Sequence, residues 1–403
     1  MARFTLPRDI YYGSGAIDEL KNLKGYKKAM ILTGGSSMKR GGFLQKVEDI
    51  LHEIGVETQL FEGIEPDPSI ETVFKGAAAM RKFLPDVIVA IGGGSPIDAA
   101  KAMWVFYEHP EATFEEIKKP FNIPKLRNKA IFVAIPSTSG TATEVTAFSV
   151  ITDYSTNIKY PLADFEITPD IAILDTDIPL TMPKTLTAHT GMDALTHAIE
   201  AYVSVLASDY TDGLALHAIR LVFKYLKRAY DNGNDREARE KMHNASCIAG
   251  MAFTNAFLGI NHSLAHKLGS AYHIPHGRAN AILLPYVIEY NAQKPKKFAT
   301  WPKYQKFIAD VRYAEIAEML GLPCSTTEEG VQSLIKAIRD LEASVNEVRS
   351  VKECGIDEKV YMDSLDDLAD EAHEDQCTPA NPRYPLISEL KELYIKAYYG
   401  EEK

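Results

Sequence analysis

The chain has 403 residues, 46% hydrophobic and 25% charged, with 44 basic against 55 acidic side chains and a net charge of −11. That length fits two domains or one large one, and the composition is ordinary for a globular protein. The acidic balance argues against a nucleic-acid or anionic-membrane surface, because phosphate arrays are bound by clustered Lys and Arg. The N-terminal "MARFTLPRDIYYGSG" has no long apolar run, so no secretory signal is visible. The longest apolar runs, "VIVAI" and "AIFVAI", are far too short to span a bilayer. Cys247, Cys324, Cys354 and Cys377 form no C-x-x-C pair. They read as free thiols of a reducing compartment, so the expected location is cytoplasmic.

In chain order, "KKAMILTG", "VETQLFEG", "DVIVAIGGG", "KAIFVAIPS" and "DIAILDT" are short, apolar and bounded by Gly, Pro or Asp, as buried strands are. Between the first three lie predicted helices "FLQKVEDILHEIG" and "IETVFKGAAAMRKFL", with apolar residues three and four apart. "IKYPLADFEITPDIAILD" adds an irregular extended element. Strand–helix alternation implies a mainly parallel sheet covered on both faces. From Pro183 the texture changes. "MDALTHAIEAYVSVLA", "DGLALHAIRLVFKYLKRAY", "REKMHNASCIAGMAF", "GVQSLIKAIRDLEASV" and "LISELKELYIKAYY" follow helical periodicity, and strand-like runs nearly vanish. The expected organisation is an α/β domain over residues 1–180 and an all-helical domain over 181–403. A cleft between two such domains is a favoured ligand site.

"DVIVAIGGGSPIDAAKAM" is a buried strand entering Gly92, Gly93, Gly94 and Ser95 and then a helix. Glycines there let backbone approach an anion, and the helix start supplies free N–H groups and a positive dipole end. A tight turn that needs glycine for conformation alone is the competing reading. The segment matches neither G-x-G-x-x-G nor a Walker A loop. A second strand-end segment, "IPSTSGTATEVTAFSVITD", carries the hydroxyls of Ser137, Thr138, Ser139, Thr141, Thr143 and Thr146. Such clusters commonly serve only local backbone bonds. Two glycine- or hydroxyl-rich loops at strand ends of one sheet are nevertheless what a phosphate-bearing cofactor needs.

Of eleven histidines, four crowd into "GINHSLAHKLGSAYHIPHGRAN". "TGMDALTHAIE" sets Asp193 and His197 four apart on one helix face, with Asp193 in the first turn after Thr190 and Gly191. "NHSLAHKLG" repeats the spacing with His262 and His266, Gly269 ending the helix. His276 sits in "IPHG", where Pro275 and Gly277 hold a loop. One carboxylate and several imidazoles can converge on a divalent cation. A lone Asp/His pair at this spacing is more often a surface hydrogen bond; two such helices and a loop histidine favour a metal. There is no H-E-x-x-H. His52, His109, His217 and His243 are isolated and read as structural.

Together the segments "GGGSPIDAAKA", "IPSTSGTATEVT", "IKYPLAD", "HTGMDALTHAIEAYVS", "NHSLAHKLG", "IPHGRANAILLPY" and "DQCTPANPRYPL" resemble the iron-containing (group III) alcohol dehydrogenases, nearly end to end. The nearest flavour is that of NADPH-dependent butanol dehydrogenases and of the alcohol-dehydrogenase half of bifunctional aldehyde–alcohol dehydrogenases; this chain has no room for the other half. The resemblance implies a Rossmann-like dinucleotide-binding domain and a C-terminal helical metal-binding domain. It implies metal ligands Asp193, His197, His262 and His276, with His266 beside the metal as a proton-relay residue, and gives His273 no ligand role. It implies that the loop from Gly93, Gly94 and Ser95 to Asp98 holds the pyrophosphate, with Thr138, Thr141 and Lys159 completing the cofactor site. Phe253 and Cys377 are implied to flank the substrate, and the assembly to be a homodimer or larger.

In that reading the cation is a Lewis acid toward an alcohol or aldehyde oxygen, and the nicotinamide carries the hydride. Nitrogen and oxygen ligands accept Fe²⁺, which the family name implies, or Zn²⁺. In "ILTGGSSMKRGG", Gly35 stands where NAD-preferring relatives have Asp, followed by Ser36, Ser37, Lys39 and Arg40. Hydroxyl and cationic donors suit a 2′-phosphate, so NADP(H) is expected over NAD(H). A solvated basic turn is the plainer alternative. Phe253 and Phe257 suit a short aliphatic chain, and butanol/butyraldehyde is the expected small-molecule pair. The rivals are a zinc-dependent polyol or glycerol-type dehydrogenase, a metal-dependent phosphate-ester hydrolase, and a non-catalytic binding module.

Overall fold

A computed structural model describes residues 3–156, 158–295 and 307–400. The chain forms two compact units that divide between Met182 and Pro183.

The first unit holds strands β1 (Asp9–Gly13), β2 (Lys28–Thr33), β3 (Glu57–Phe61), β4 (Val87–Gly92), β5 (Ile131–Pro136), β6 (Phe148–Asp153), β7 (Ile158–Ala163) and β8 (Ile171–Asp175). Its helices are α1 (Ser37–Arg40), α2 (Phe43–Glu53), α3 (Ile70–Phe83), α4 (Gly94–Glu108) and α5 (Phe114–Ile117). Six strands make one sheet in the order β1-β8-β5-β4-β2-β3, and β6 and β7 form a separate antiparallel pair. Every pairing in the large sheet is parallel. The period-2 geometry of a strand explains the continuous apolar runs of the inner strands β2, β4, β5 and β8, buried on both faces, whereas β3, expected to be buried, is an edge strand with no buried residue. Val87, Val89 and Ile91 of β4 enter one core with Ile31, Val133 and Ile135. Ile88 and Ala90 enter the opposite core with Met30, Leu32 and Phe132.

The five predicted strands all form. β1 and β6 are additions: "DIYYG" is five residues at the sheet edge with Tyr12 73% exposed, so no apolar run betrays it, and the end of the expected hydroxyl-rich loop, "FSVITD", is a strand paired with β7. The irregular extended stretch resolves into β7, a short helical turn at Phe165–Ile167, and β8.

Among its described residues the second unit has no strand. Its helices are α6 (Lys184–Val203), α7 (Asp209–Asp231), α8 (Arg236–Ala256), α9 (Ile260–Tyr272), α10 (His276–Ala292), α11 (Ala309–Met319), α12 (Thr327–Ser344), α13 (Glu358–Asp363), α14 (Leu365–Glu374) and α15 (Ile387–Tyr399). Three local expectations change. Helix α6 begins at Lys184, so Asp193 lies in its third turn rather than its first. Gly191 is inside that helix because a Cβ there would stand 2.2 Å from Leu226 Cδ1 of α7; it marks close packing, not a start. Helix α9 runs through Gly269 to Tyr272, and His273 closes it in the left-handed region at φ 54°. His276 opens α10 as its first residue instead of sitting in a loop, with Pro275 as the residue before it. Pro285 inside α10 disguises that helix in the sequence. Among the described residues, no helix is long and apolar enough to cross a membrane.

Candidate metal centre and nucleotide site

In the first unit, α4 starts at Gly94, so the N–H groups of Gly94 and Ser95 have no acceptor within the helix. Gly92 adopts φ +150°, and a Cβ there would meet Pro96 Cγ at 2.6 Å. That backbone is what turns β4 sharply into α4, and a side chain would block it. A pocket of about 410 Å³ opens above this turn, lined by Thr33, Gly34, Gly35, Ser37, Gly63–Pro66 and Gly92–Pro96. These residues end or follow β2, β3 and β4. The chain runs β2 to β3 in one direction and then crosses back over β2 to β4. The pocket therefore sits at a reversal of strand order outside the carboxyl ends of parallel strands, where open α/β sheets bind ligands.

Thr138 and Thr141 stand behind the same turn. Their side chains lie 3.5 Å and 3.2 Å from the points where Cβ atoms would be on Gly93 and Gly94. Thr33 Oγ1 and Thr138 Oγ1 are buried without a protein hydrogen-bond partner. Orphaned hydroxyls beside free helix N–H groups fit a phosphate-bearing ligand. Other members of the expected set turn elsewhere. The Asp98 carboxylate accepts from Thr143 Oγ1 and, at 3.1 Å, from the Val150 N–H. Thr146 Oγ1 takes a bond from buried Lys101 at 3.2 Å. Lys159 Nζ pairs with Asp67 at 2.8 Å, and Lys39 Nζ with Glu62 at 3.4 Å beside the pocket. Asp98, Thr138, Thr141 and Lys159 are not among the residues lining that pocket.

In the second unit, three helices converge. Asp193 and His197 come from α6, His262 from α9 and His276 from the first turn of α10, and one ligand atom from each lies within 4.8 Å of all the others. Nε2 of His276, His262 and His197 stands 3.5, 3.8 and 3.9 Å from Asp193 Oδ1. The side chains of Asp193, His197 and His262 are 3%, 5% and 1% exposed, whereas His276 is 40% exposed, so the cluster opens on the His276 side. Burial alone would raise the Asp193 pKa; the surrounding imidazoles outweigh it and hold the carboxyl well below the usual range.

The Asn280 side-chain nitrogen lies 2.8 Å from Asp193 Oδ1, 3.1 Å from His262 Nε2 and 3.2 Å from His276 Nε2. An amide has two protons for these three acceptors. Lone pairs of one carboxylate and three imidazoles aimed at a common centre are the donor set of a borderline divalent cation. The geometry also depends on Gly277. A Cβ there would sit 2.1 Å from the His189 carbonyl oxygen, so α10 crosses α6 at backbone contact. Gly277→Ala must push α10 off α6 and carry His276 away from Asp193. We expect a loss of about 1–3 kcal/mol in stability, as for overpacked cores, together with lost metal content, read by calorimetry and metal analysis.

His266 lies one turn beyond His262, its ring stacked on His276 at 5.5 Å. Its Nδ1 is 3.0 Å from Asp375 Oδ2, which leaves Nε2 available. Asp375 also accepts from the Cys377 N–H at 3.0 Å and pairs with Lys267 at 3.4 Å. Burial pushes the Cys377 thiol well above its usual pKa, and Asp375 adds to this, so it is a neutral thiol near pH 7. Phe253 stacks on His197 at 4.3 Å. His273, exposed at the end of α9, lies outside the cluster. Sequence reasoning missed Glu200, Asn280 and Asp375. Each had a positional signal: Glu200 follows His197 by three residues, Asn280 follows His276 by four, and Asp375 precedes Cys377 by two.

A parallel-sheet unit with a glycine turn and a helical unit with an Asp/His₃ cluster have the build of a metal-dependent oxidoreductase. Two family descriptions match in succession, iron-containing alcohol dehydrogenase over residues 7–176 and the C-terminal part of the Fe-containing alcohol dehydrogenase family over 187–398. The chain belongs to the iron-containing alcohol dehydrogenase family. It is 58% identical to the NADPH-dependent butanol dehydrogenase of Clostridium saccharobutylicum over 402 residues, covering 100% of this chain and 99% of that protein. It is 50% identical to the aldehyde-alcohol dehydrogenase of Streptococcus pneumoniae over 98% of this chain, which spans only 46% of that protein. Its fold matches the iron-containing alcohol dehydrogenase of Thermococcus thioreducens with a TM-score of 0.89 at 38% identity, covering 99% and 100% of the two chains. A 1,3-propanediol oxidoreductase matches with a TM-score of 0.89 at 33% identity over 99% and 100%.

Proposed function

We propose that this alcohol dehydrogenase interconverts short-chain primary alcohols and aldehydes, butanol and butyraldehyde first among them, with NADP(H) as coenzyme and Fe²⁺ as cation. The observation that carries the reading is the convergence of Asp193, His197, His262 and His276 from three helices. A divalent cation held by those four residues would supply Lewis acidity toward the substrate oxygen. The first unit binds coenzyme: the N–H groups of Gly94 and Ser95 take the pyrophosphate, with the hydroxyls of Thr138 and Thr141 behind them. Asp98 stiffens that loop through Thr143 and Val150. Lys159, now paired with Asp67, and Lys39 and Ser37 beside Gly35 are the donors we assign to the ribose side. In the second unit His266, held at Nδ1 by Asp375, moves the hydroxyl proton at Nε2. Phe253 and the neutral Cys377 thiol give the alkyl chain apolar walls. All four cysteines are free thiols, in keeping with a cytoplasmic protein, and we read the working form as a homo-oligomer.

The test is butyraldehyde reduction followed at the nicotinamide absorbance, in chelated protein refilled with Fe²⁺ or Zn²⁺ and supplied with either coenzyme. Turnover should return only on refilling and favour NADPH in kcat/KM. Phosphate-ester hydrolysis without any absorbance change, or a glycerol activity exceeding that on butyraldehyde, would replace this reading with one of its rivals.

A further inference from the structure

Behind the Asp/His cluster lies a second layer of polar groups that the reaction does not touch. Glu200 follows His197 by three residues on α6 and is 3% exposed. Its carboxylate meets the start of α9 on two sides. Oε1 accepts from the Asn261 N–H at 2.8 Å and the His262 N–H at 3.4 Å, filling orphan donors of the helix N-terminus. Oε2 closes on His262 Nδ1. Gly259 makes that approach possible, because a Cβ there would stand 3.0 Å from Glu200 Oε1. Asn261 continues the layer: its side-chain nitrogen lies 3.0 Å from Asn280 Oδ1, which turns Asn280 Nδ2 toward Asp193. Asn261 and Asn280 are both fully buried.

We propose that Glu200 is a positioning residue that sets the cation affinity of this site, by fixing His262 with a proton on Nδ1 and a lone pair on Nε2 aimed at the centre it shares with Asp193, His197 and His276. A ring whose Nδ1–H is engaged by a carboxylate is a more basic ligand at Nε2 and cannot rotate or change tautomer. Glu200 also anchors the backbone that carries His262, so ring and helix end are referred to α6, the helix of Asp193 and His197. The inference rests on the metal reading given above.

The decisive variant is Glu200→Gln. An amide offers one acceptor where the carboxylate offers two, so either the Asn261 N–H or the His262 Nδ1–H must face an NH₂ group. Affinity for Zn²⁺, measured by competition with a graded chelator, should fall on the order of 10–100-fold. A second measurement uses the wild-type chain with ¹⁵N-labelled histidine and ¹¹³Cd²⁺. His262 should show coupling to cadmium at Nε2 and keep its proton on Nδ1. Affinity of the variant within about threefold of wild type, or cadmium coupling through His262 Nδ1, overturns the proposal. Should Glu200→Gln fail to fold, the wild-type spectrum alone decides. Failure of the wild-type protein to bind either ion stoichiometrically is a different result, and it defeats the metal reading itself.

Discussion

We expect His276→Ala to abolish binding of the proposed divalent cation and to lower kcat/KM by at least about 10²–10³-fold, the scale set by losing the group that would stabilise charge on the reacting oxygen. His276 is the ligand to choose because it is the exposed member of the cluster, at 40%, against 1% for His262. Truncating His262 would leave the Glu200 carboxylate buried without its imidazole, and that destabilises the helix junction as well as the site. The chelated wild-type protein and chelated His276→Ala should therefore melt within a few degrees of each other, separating metal loss from unfolding. The measurement is metal stoichiometry alongside the nicotinamide assay. Full turnover in a metal-free His276→Ala protein would sink the role of the cluster.

Part of this candidate centre was legible in the sequence because i, i+4 spacing is a local property, while the four-residue ligand set came from the family resemblance. Asp193 with His197, and His262 with His266, follow from helical periodicity alone. What periodicity cannot give is where one helix face meets another. Asn280 and Asp375 have near neighbours in the chain, but the partners that tie them to the centre, Asp193 and His266, lie 87 and 109 positions away, so no window of sequence contains those pairs. Helix boundaries failed for a related reason. Gly191, Gly269 and Pro285 are ordinary breakers, yet each lies inside a helix. At Gly191 the cause is plain, since the missing side chain leaves room for Leu226. The strands were easier, because burial on both faces of a parallel sheet writes itself as an unbroken apolar run. β1 escaped because "DIYYG" is only five residues long with Tyr12 exposed, so it shows no apolar run. The hydroxyl-rich loop divided in the same way. Thr138 and Thr141 abut the glycine turn while Thr143 and Thr146 bond inward, and composition cannot separate the two pairs.

Gly35→Asp should move coenzyme preference from NADPH to NADH, lowering the ratio of their kcat/KM values on the order of 10²-fold or more. Gly35 lines the pocket just beyond the end of β2, and a Cβ added there meets nothing within 4 Å. A carboxylate thus enters open space instead of displacing structure. It accepts from a ribose 2′-hydroxyl and repels a 2′-phosphate, and like charges forced together at a binding site differ by several kcal/mol from the unopposed case. Lys39, the nearby cation we assign to the phosphate, already has Glu62 at 3.4 Å, so an extra carboxylate further weakens the attraction that this edge of the pocket offers. Because the adenosine end is remote from the hydride, the change should fall on KM while kcat for the preferred coenzyme stays within a few-fold, the signature of uniform binding. Initial-rate kinetics with both coenzymes at saturating butyraldehyde give the ratio. A wild-type chain that prefers NADH, or a variant whose ratio moves less than about threefold, would mean that Ser37, Lys39 and Arg40 are no more than a solvated basic turn.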